Sequence, residues 1–186
     1  MKYKILSKKI VYETKKFQLI RDRIKRGDYE RNSTYITTYQ EGVCIVPYLE
    51  DIDSFLLVNQ YRHPVGKSIW QFPAGGRENN ETYMQCANRE LEEETGYIAD
   101  NLIGLGNYNP DVELISNKSM FFLALSPKIS KGNKFKSAEE DVTCTIVTQS
   151  ALKEKIKSSE IMDSSTLVGY LLFSLWQESH HTNSNT

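Results

Sequence analysis

The chain has 186 residues, 39% of them hydrophobic and 25% charged, proportions that suit one globular domain with a modest extension and a sizeable core. Its formal net charge of -1 exerts no overall pull toward nucleic acid or an anionic membrane, so neither partner is expected and any phosphate recognition must be local. Cys44, Cys86 and Cys144 are odd in number and widely spaced, which argues against a disulfide framework or zinc site, and no stretch has the form of a signal peptide or a membrane span; a cytoplasmic protein with buried, reduced thiols is expected.

In chain order, runs that favour β-structure occupy residues 9–13, 17–25 and 33–39, with Arg26-Gly27-Asp28 as a turn signal. They predict two or three antiparallel strands. In the second run Phe17, Leu19, Arg21 and Arg23 alternate imperfectly with Gln18, Ile20, Asp22 and Ile24, so the pattern does not select the buried face. Residues 42–49 and 55–61 flank Glu50-Asp51-Ile52-Asp53-Ser54 and read as a hairpin with a polar loop. A basic, turn-rich segment follows, in which His63 and Lys67 are expected at the surface. The chain then runs through Ile69-Trp-Gln-Phe-Pro-Ala-Gly75-Gly76 into its most informative stretch.

Residues 75–97 are a glycine loop feeding a helix, with Asn79 or Asn80 as the expected cap and Gly96 as the stop. At ~100° per residue, Glu90, Glu93 and Glu94 share a ~100° arc, beside an apolar stripe of Met84, Ala87 and Leu91. Three carboxylates crowded on one face repel unless a cation offsets them. Hard divalent ions suit such oxygens, Mg²⁺ above all, because it retains water and shares its remaining positions with phosphate. Arg89 reaches Glu93 at i+4. An arbitrary Glu-rich helix is most often just a solvated acidic face, so the reading rests on the spacing.

Beyond the helix, residues 102–108, 118–126 and 142–148 predict strands, 150–158 a short helix, and Asp163 or Ser164 a cap for a helix to about residue 178, with a frayed end from residue 180. Strands on both sides of a central helix, with another helix at the end, imply an α/β sandwich with a mixed sheet. Residues 1–40 are expected to form an N-terminal antiparallel unit, 41–180 the main domain and 181–186 a tail.

Residues 75–97 match G-x5-E-x7-R-E-U-x-E-E-x-G-U, where U is a bulky aliphatic residue, and this resembles the signature of the Nudix hydrolases; with average residue usage, a chance match has a probability on the order of 10⁻⁷. Tyr97 stands where the last aliphatic residue belongs. The resemblance continues through Val58-Asn-Gln-Tyr-Arg62-His-Pro-Val-Gly, Trp70-Gln-Phe-Pro-Ala-Gly75-Gly, Met120-Phe-Phe-Leu-Ala, Glu140-Asp-Val and Asp163-Ser-Ser-Thr-Leu, which are similar to segments of the ADP-ribose and ADP-sugar pyrophosphatase branch. It implies a Nudix-type α/β/α sandwich preceded by a small N-terminal sheet.

By the same resemblance, Glu90 and Glu94 would be metal ligands, Glu93 a further or alternating one, and the Ala74 carbonyl would complete a Mg²⁺ site that Mn²⁺ could also fill. Gly75, Glu81, Arg89 and Gly96 would support loop and helix, with Glu92 a solvated bystander. Arg62 would bind substrate phosphate. Tyr29, Tyr35 and Tyr39 would be candidates for stacking on the base, in this branch sometimes across a homodimer. Glu139 and Glu140, before Val142, are candidates for the general base, alongside a glutamate of the box. The branch often places an alternating pair of acids here, and the first of the pair falls on Ala138.

The implied reaction is Mg²⁺-dependent hydrolysis of a nucleoside diphosphate sugar, ADP-ribose or an ADP-sugar first, to a nucleoside monophosphate and a sugar phosphate. The alternatives are other dinucleotides, GDP-sugars, or a Nudix-fold sensor that binds without hydrolysis. A sensor would be expected to lose box carboxylates, and this chain retains all of them. Asn109-Pro110-Asp111-Val112-Glu113-Leu114 departs from the Ser-Pro-Gly-like turn of ADP-ribose enzymes, so the substrate is read less sharply than the reaction.

Overall fold

The computed structural model describes residues 2–109, 111–132 and 142–181. The first three strands, β1 (Lys4–Glu13), β2 (Phe17–Arg26) and β3 (Tyr29–Thr38), form an antiparallel meander. Gly27, at φ 60°, supplies the left-handed residue of the two-residue turn that joins β2 to β3. The face that the sequence left open is now assigned: Ile20, Asp22 and Ile24 are buried, while Arg21 and Arg23 face solvent.

The main sheet is built on β4 (Gly42–Leu49), β5 (Ser54–Arg62), β9 (Leu102–Tyr108), β10 (Ser119–Leu125) and β12 (Val142–Thr148), in the order β12-β5-β4-β10-β9. It is mixed, because β4 and β10 run parallel while the other pairs are antiparallel. The expected hairpin of β4 and β5 survives only at its turn, where Tyr48 opposes Phe55 and Leu49 opposes Ser54. Beyond it the strands diverge and the chain from 67 to 76 fills the fork: β6 (Lys67–Gln71) pairs with β5, and β7 (Ala74–Gly76) pairs with β4. The change of partner occurs at Phe72-Pro73, where proline has no amide to give to a ladder but its carbonyl still accepts from Ile45 N–H at 2.9 Å. A two-stranded ladder of β8 (Tyr97–Ile98) and β11 (Lys128–Ile129) stands apart.

Alternate residues of β4 and β10 face opposite layers, and both layers are covered. Val43, Ile45, Phe122 and Ala124 pack with Cys86, Ala87 and Leu91 of α1 (Tyr83–Thr95). Cys44, Val46, Phe121 and Leu123 share a second core with Leu172 and Phe173 of α3 (Ser164–His181) and Leu152 of α2 (Gln149–Lys157). Burial on both faces explains the continuous apolar strands. The result is an α/β/α sandwich with a small antiparallel sheet ahead of it, as expected.

Several boundaries differ from the sequence reading. Helix α3 continues to His181, and the His180 ring stacks on Trp176 at 4.4 Å, so the helix does not fray from residue 180; residues 182–186 lie outside the described ones. Asp163 does cap α3, accepting from Thr166 N–H at 2.8 Å. Cys44 and Cys86 are buried and Cys144 half-buried, all three as free thiols.

Candidate active site

Helix α1 begins later than expected. Thr82, rather than Asn79 or Asn80, is the cap: its hydroxyl accepts from Gln85 N–H while the Gln85 side chain accepts from Thr82 N–H, a reciprocal capping box. Asn80 instead takes a left-handed conformation, φ 68°, in the turn before it. Gly96 ends the helix at φ 76°, as read from the sequence. The buried side runs through Cys86, Ala87, Leu91 and Glu94, whereas Met84 is exposed in the first turn. The expected stripe is thus rotated toward the carboxylates, and an acid lies within the packed face.

Arg89 fastens the loop to the helix. Its guanidinium donates to both Glu81 oxygens, at 2.7 and 3.0 Å, to the Gly76 carbonyl at 3.0 Å, to Glu90 at 2.8 Å and to Glu93 at 3.3 Å. Glu81 also accepts from Glu78 N–H at 3.0 Å. These bonds, those from Arg89 first, hold the Glu81 carboxyl below the usual range, and Glu81 in turn raises the pKa of Arg89. These bonds tie Glu81 and the Gly76 carbonyl to Arg89.

Glu94 is only 5% exposed, and its carboxylate accepts the Ala74 N–H at 3.1 Å. That bond joins the last turn of α1 to β7. Burial foremost, with a contribution from the Glu94 charge, pushes the Cys144 thiol up to about 11 and raises that of Cys44. Glu90 lies over Gly75: a Cβ on that glycine would stand 2.0 Å from the Glu90 carboxyl carbon. Gly75 is thus required for space, its φ not being among the positive ones.

Glu92 is no bystander. It is half-buried and accepts from the hydroxyl of Ser130, whose own N–H donates to the Gly96 carbonyl at 2.8 Å, so it ties the segment after β11 to the end of α1. Tyr97, the departure from the signature, packs against the α1 core cluster.

Arg62, at the end of β5, donates from Nε and Nη2 to Oε1 of the buried Gln71 at 3.1 and 2.9 Å. A neutral partner fixes its orientation, and no acid among the described residues pairs with it, as suits an arginine that binds an anion. The three tyrosines are not brought together. Tyr29 is exposed at the far end of β3, and Tyr35 spends its hydroxyl on Asp22 at 3.1 Å. Tyr39 bonds Glu13 and borders a cleft of 530 Å³ with Arg77 and Glu78 of the glycine loop. Glu139 and Glu140 lie outside the described residues; Val142, shortly after them, pairs with Gln60, two residues from Arg62.

Residues 111–117 are organised by their own side chains. Asp111 accepts from Glu113 and Leu114 N–H at 3.1 and 3.0 Å, and Asn117 accepts from Thr38 N–H at 2.7 Å while donating to its carbonyl at 2.9 Å. The loop is thereby stitched to the end of β3. A further link escaped the sequence reading. Thr166, fully buried, accepts from Phe72 N–H at 2.9 Å and donates to Asp163 at 2.7 Å. The start of α3 thus holds the strand that presents Ala74. The signal was present in Asp163-Ser-Ser-Thr-Leu, but its partner is 94 residues away.

Among the described residues no three acidic, His or Cys side chains converge as a metal cage, because Glu90 and Glu93 turn toward Arg89 and Glu94 toward the Ala74 amide. The donor chemistry nevertheless fits a hard divalent ion: three carboxylates on one helix face, one of them buried, beside a glycine whose missing side chain leaves room for Glu90.

Comparison with known proteins agrees with this arrangement. A family model described as the NUDIX domain matches residues 38–161. The ADP-ribose pyrophosphatase of Bacillus subtilis is 24% identical over 163 residues, covering 88% of this chain and 88% of that protein. The methanol dehydrogenase activator of Bacillus methanolicus is 28% identical over 142 residues, with coverage of 75% and 76%. A crystal structure described as an ADP compounds hydrolase has a TM-score of 0.82 at 20% identity and covers 97% of this chain and 96% of that one, a likeness of fold.

Proposed function

We propose, from the premise that the chain belongs to the NUDIX family of hydrolases, that it cleaves the diphosphate of a nucleoside diphosphate sugar, ADP-ribose or an ADP-sugar, to a nucleoside monophosphate and a sugar phosphate. The observation that carries this reading is the junction of α1 with β7, where Glu94 is bonded to the Ala74 amide and Glu90 lies over Gly75. It supports a centre that concentrates carboxylates against exposed backbone.

Glu90, Glu93, Glu94 and the Ala74 carbonyl would hold Mg²⁺, with Mn²⁺ as a substitute. The ion, when bound, supplies charge neutralisation on the diphosphate and a more acidic water. Arg89 keeps Glu90 and Glu93 oriented without occupying Glu94. Arg62, held flat against Gln71, takes a phosphate oxygen. The proton of the attacking water goes to a carboxylate, either a box glutamate, Glu93 or Glu94, or Glu139 or Glu140 from the segment before β12. Tyr39, which borders the glycine-loop cleft, takes the base face.

The working unit is a cytoplasmic homodimer. Its support is the open outer edge of β1, where Ile5 and Ile10 are 58% and 47% exposed, an apolar edge that pairing would cover. Incubation with a panel of nucleoside diphosphate compounds and Mg²⁺ or Mn²⁺, followed by product identification by mass, tests the reaction. Adenosine monophosphate and ribose phosphate from ADP-ribose are expected; binding without any product would replace the enzyme by a sensor. Sedimentation at several concentrations tests the dimer.

A further inference from the structure

The whole-chain charge of -1 conceals a strong division. Residues 1–40 hold eleven lysines and arginines against four aspartates and glutamates, a net +7, which leaves -8 on residues 41–186. The register of the N-terminal sheet gathers much of this charge on its solvent-facing side. Lys9 stands opposite Arg21 and Thr34, Ser7 opposite Arg23 and Asn32, and Lys4 opposite Lys25 and Glu30. Directly opposed residues share a face. All but the half-buried Lys25 are exposed, while the reverse side carries the buried Ile20, Asp22 and Ile24.

Like charges placed directly across a ladder destabilise it. Glu30 relieves one end by pairing with Arg23 at 2.7 Å and Lys25 at 3.4 Å. No acid of the described residues pairs with Lys4, Lys9 or Arg21. In line with these rows, Tyr12 stands opposite Leu19 and is 59% exposed. Charged rows recur every second residue, about 6.6 Å apart at the strand rise, and a flat aromatic lies at their end. A cationic track with an exposed aromatic is the combination that binds a single-stranded nucleic acid, the cations following phosphates and the ring taking a base.

We infer that the outer face of the N-terminal sheet, through Lys4, Lys9, Arg21 and Tyr12, binds single-stranded RNA or DNA by its backbone, without sequence selection. This reverses the expectation from the chain average, because eight surplus negative charges elsewhere mask a local cationic face. Binding here is independent of the hydrolytic centre, so success or failure of either reading leaves the other intact.

The test uses the full chain and a labelled mixed-sequence RNA of about 16 nucleotides, followed by fluorescence anisotropy. With three unpaired cations on phosphates, the slope of log K against log salt is expected near -2, and affinity should fall about 15- to 20-fold between about 50 and 200 mM salt. Lys9→Glu with Arg21→Glu should abolish binding at the higher salt, and the milder Lys9→Gln with Arg21→Gln should weaken it at least tenfold, with unchanged thermal melting and diphosphate hydrolysis. Tyr12→Ala should weaken binding without changing the salt slope. Absence of RNA binding at low salt, or full binding by the glutamine variant, overturns the inference. So does capture by phosphatidylserine vesicles in place of RNA, or loss of self-association in the charge-reversed variant, since each assigns the face to another partner.

Discussion

The Glu90 carboxylate occupies the space where Gly75 would carry a side chain, 2.0 Å from that missing Cβ to the carboxyl carbon. Because the obstacle is the far end of a side chain rather than backbone, Gly75→Ala should displace the Glu90 carboxylate from its pairing with Arg89 and leave the backbone in place. We expect a loss of about 1–2 kcal/mol as the pairing of Glu90 with Arg89 is disturbed, together with a fall in turnover of about 10²-fold, the scale of a 1 Å misplacement. Calorimetric titration with Mn²⁺ should show weaker binding; unchanged binding and turnover would separate Glu90 from the metal.

Glu94→Gln keeps a carbonyl oxygen for the Ala74 amide and removes the charge. The fold should persist, by thermal melting and circular dichroism, while turnover drops about 10²–10³-fold, as for loss of a principal electrostatic group. Turnover near normal would remove Glu94 from the centre.

Arg89→Met should cost about 2–3 kcal/mol, since it strips charge-assisted bonds from Glu81 and Gly76. The loss depends on pH. Glu81 has a folded pKa below its ordinary value of 4.5, so its pairing stabilises fully above that value and fades as pH falls through the lower folded one. Urea unfolding across the acid range should show this limb in the parent and not in the variant, the two curves converging as the pH drops.

Thr166→Val preserves shape but leaves Phe72 N–H without its acceptor in a buried place. A loss of about 1–3 kcal/mol is expected. Turnover should also fall, with KM less affected, because Phe72 precedes the peptide that carries Ala74. A variant that melts earlier and turns over normally would confine the threonine to stability.

The helix, its glycine stop and its acidic face were legible because each follows from spacing along one element. Residues 67–76 were not read as strands, since Pro73 and two glycines look like turn chemistry until β4 and β5 diverge around them. Neighbouring polar residues offer several caps, and Thr82 with Gln85, at capping-box spacing, is the one that forms. Glu92 looked solvated because its partner, Ser130, is 38 residues away. Residue type alone does not bring the tyrosines together: β3 has ten residues, which at about 3.3 Å each separates Tyr29 from Tyr39 by roughly 30 Å.

The fastening of Glu81, Arg89, Gly76 and Glu90 to one another lies within a single uninterrupted length of chain. This loop and helix are therefore fastened by bonds local in sequence, while their seating on the sheet depends on distant partners such as Thr166. Arg62 and residues 111–117 belong to other parts of the sequence and are held by bonds of their own, to Gln71 and to Thr38, so they can vary without disturbing the bonds that join the glycine loop to α1.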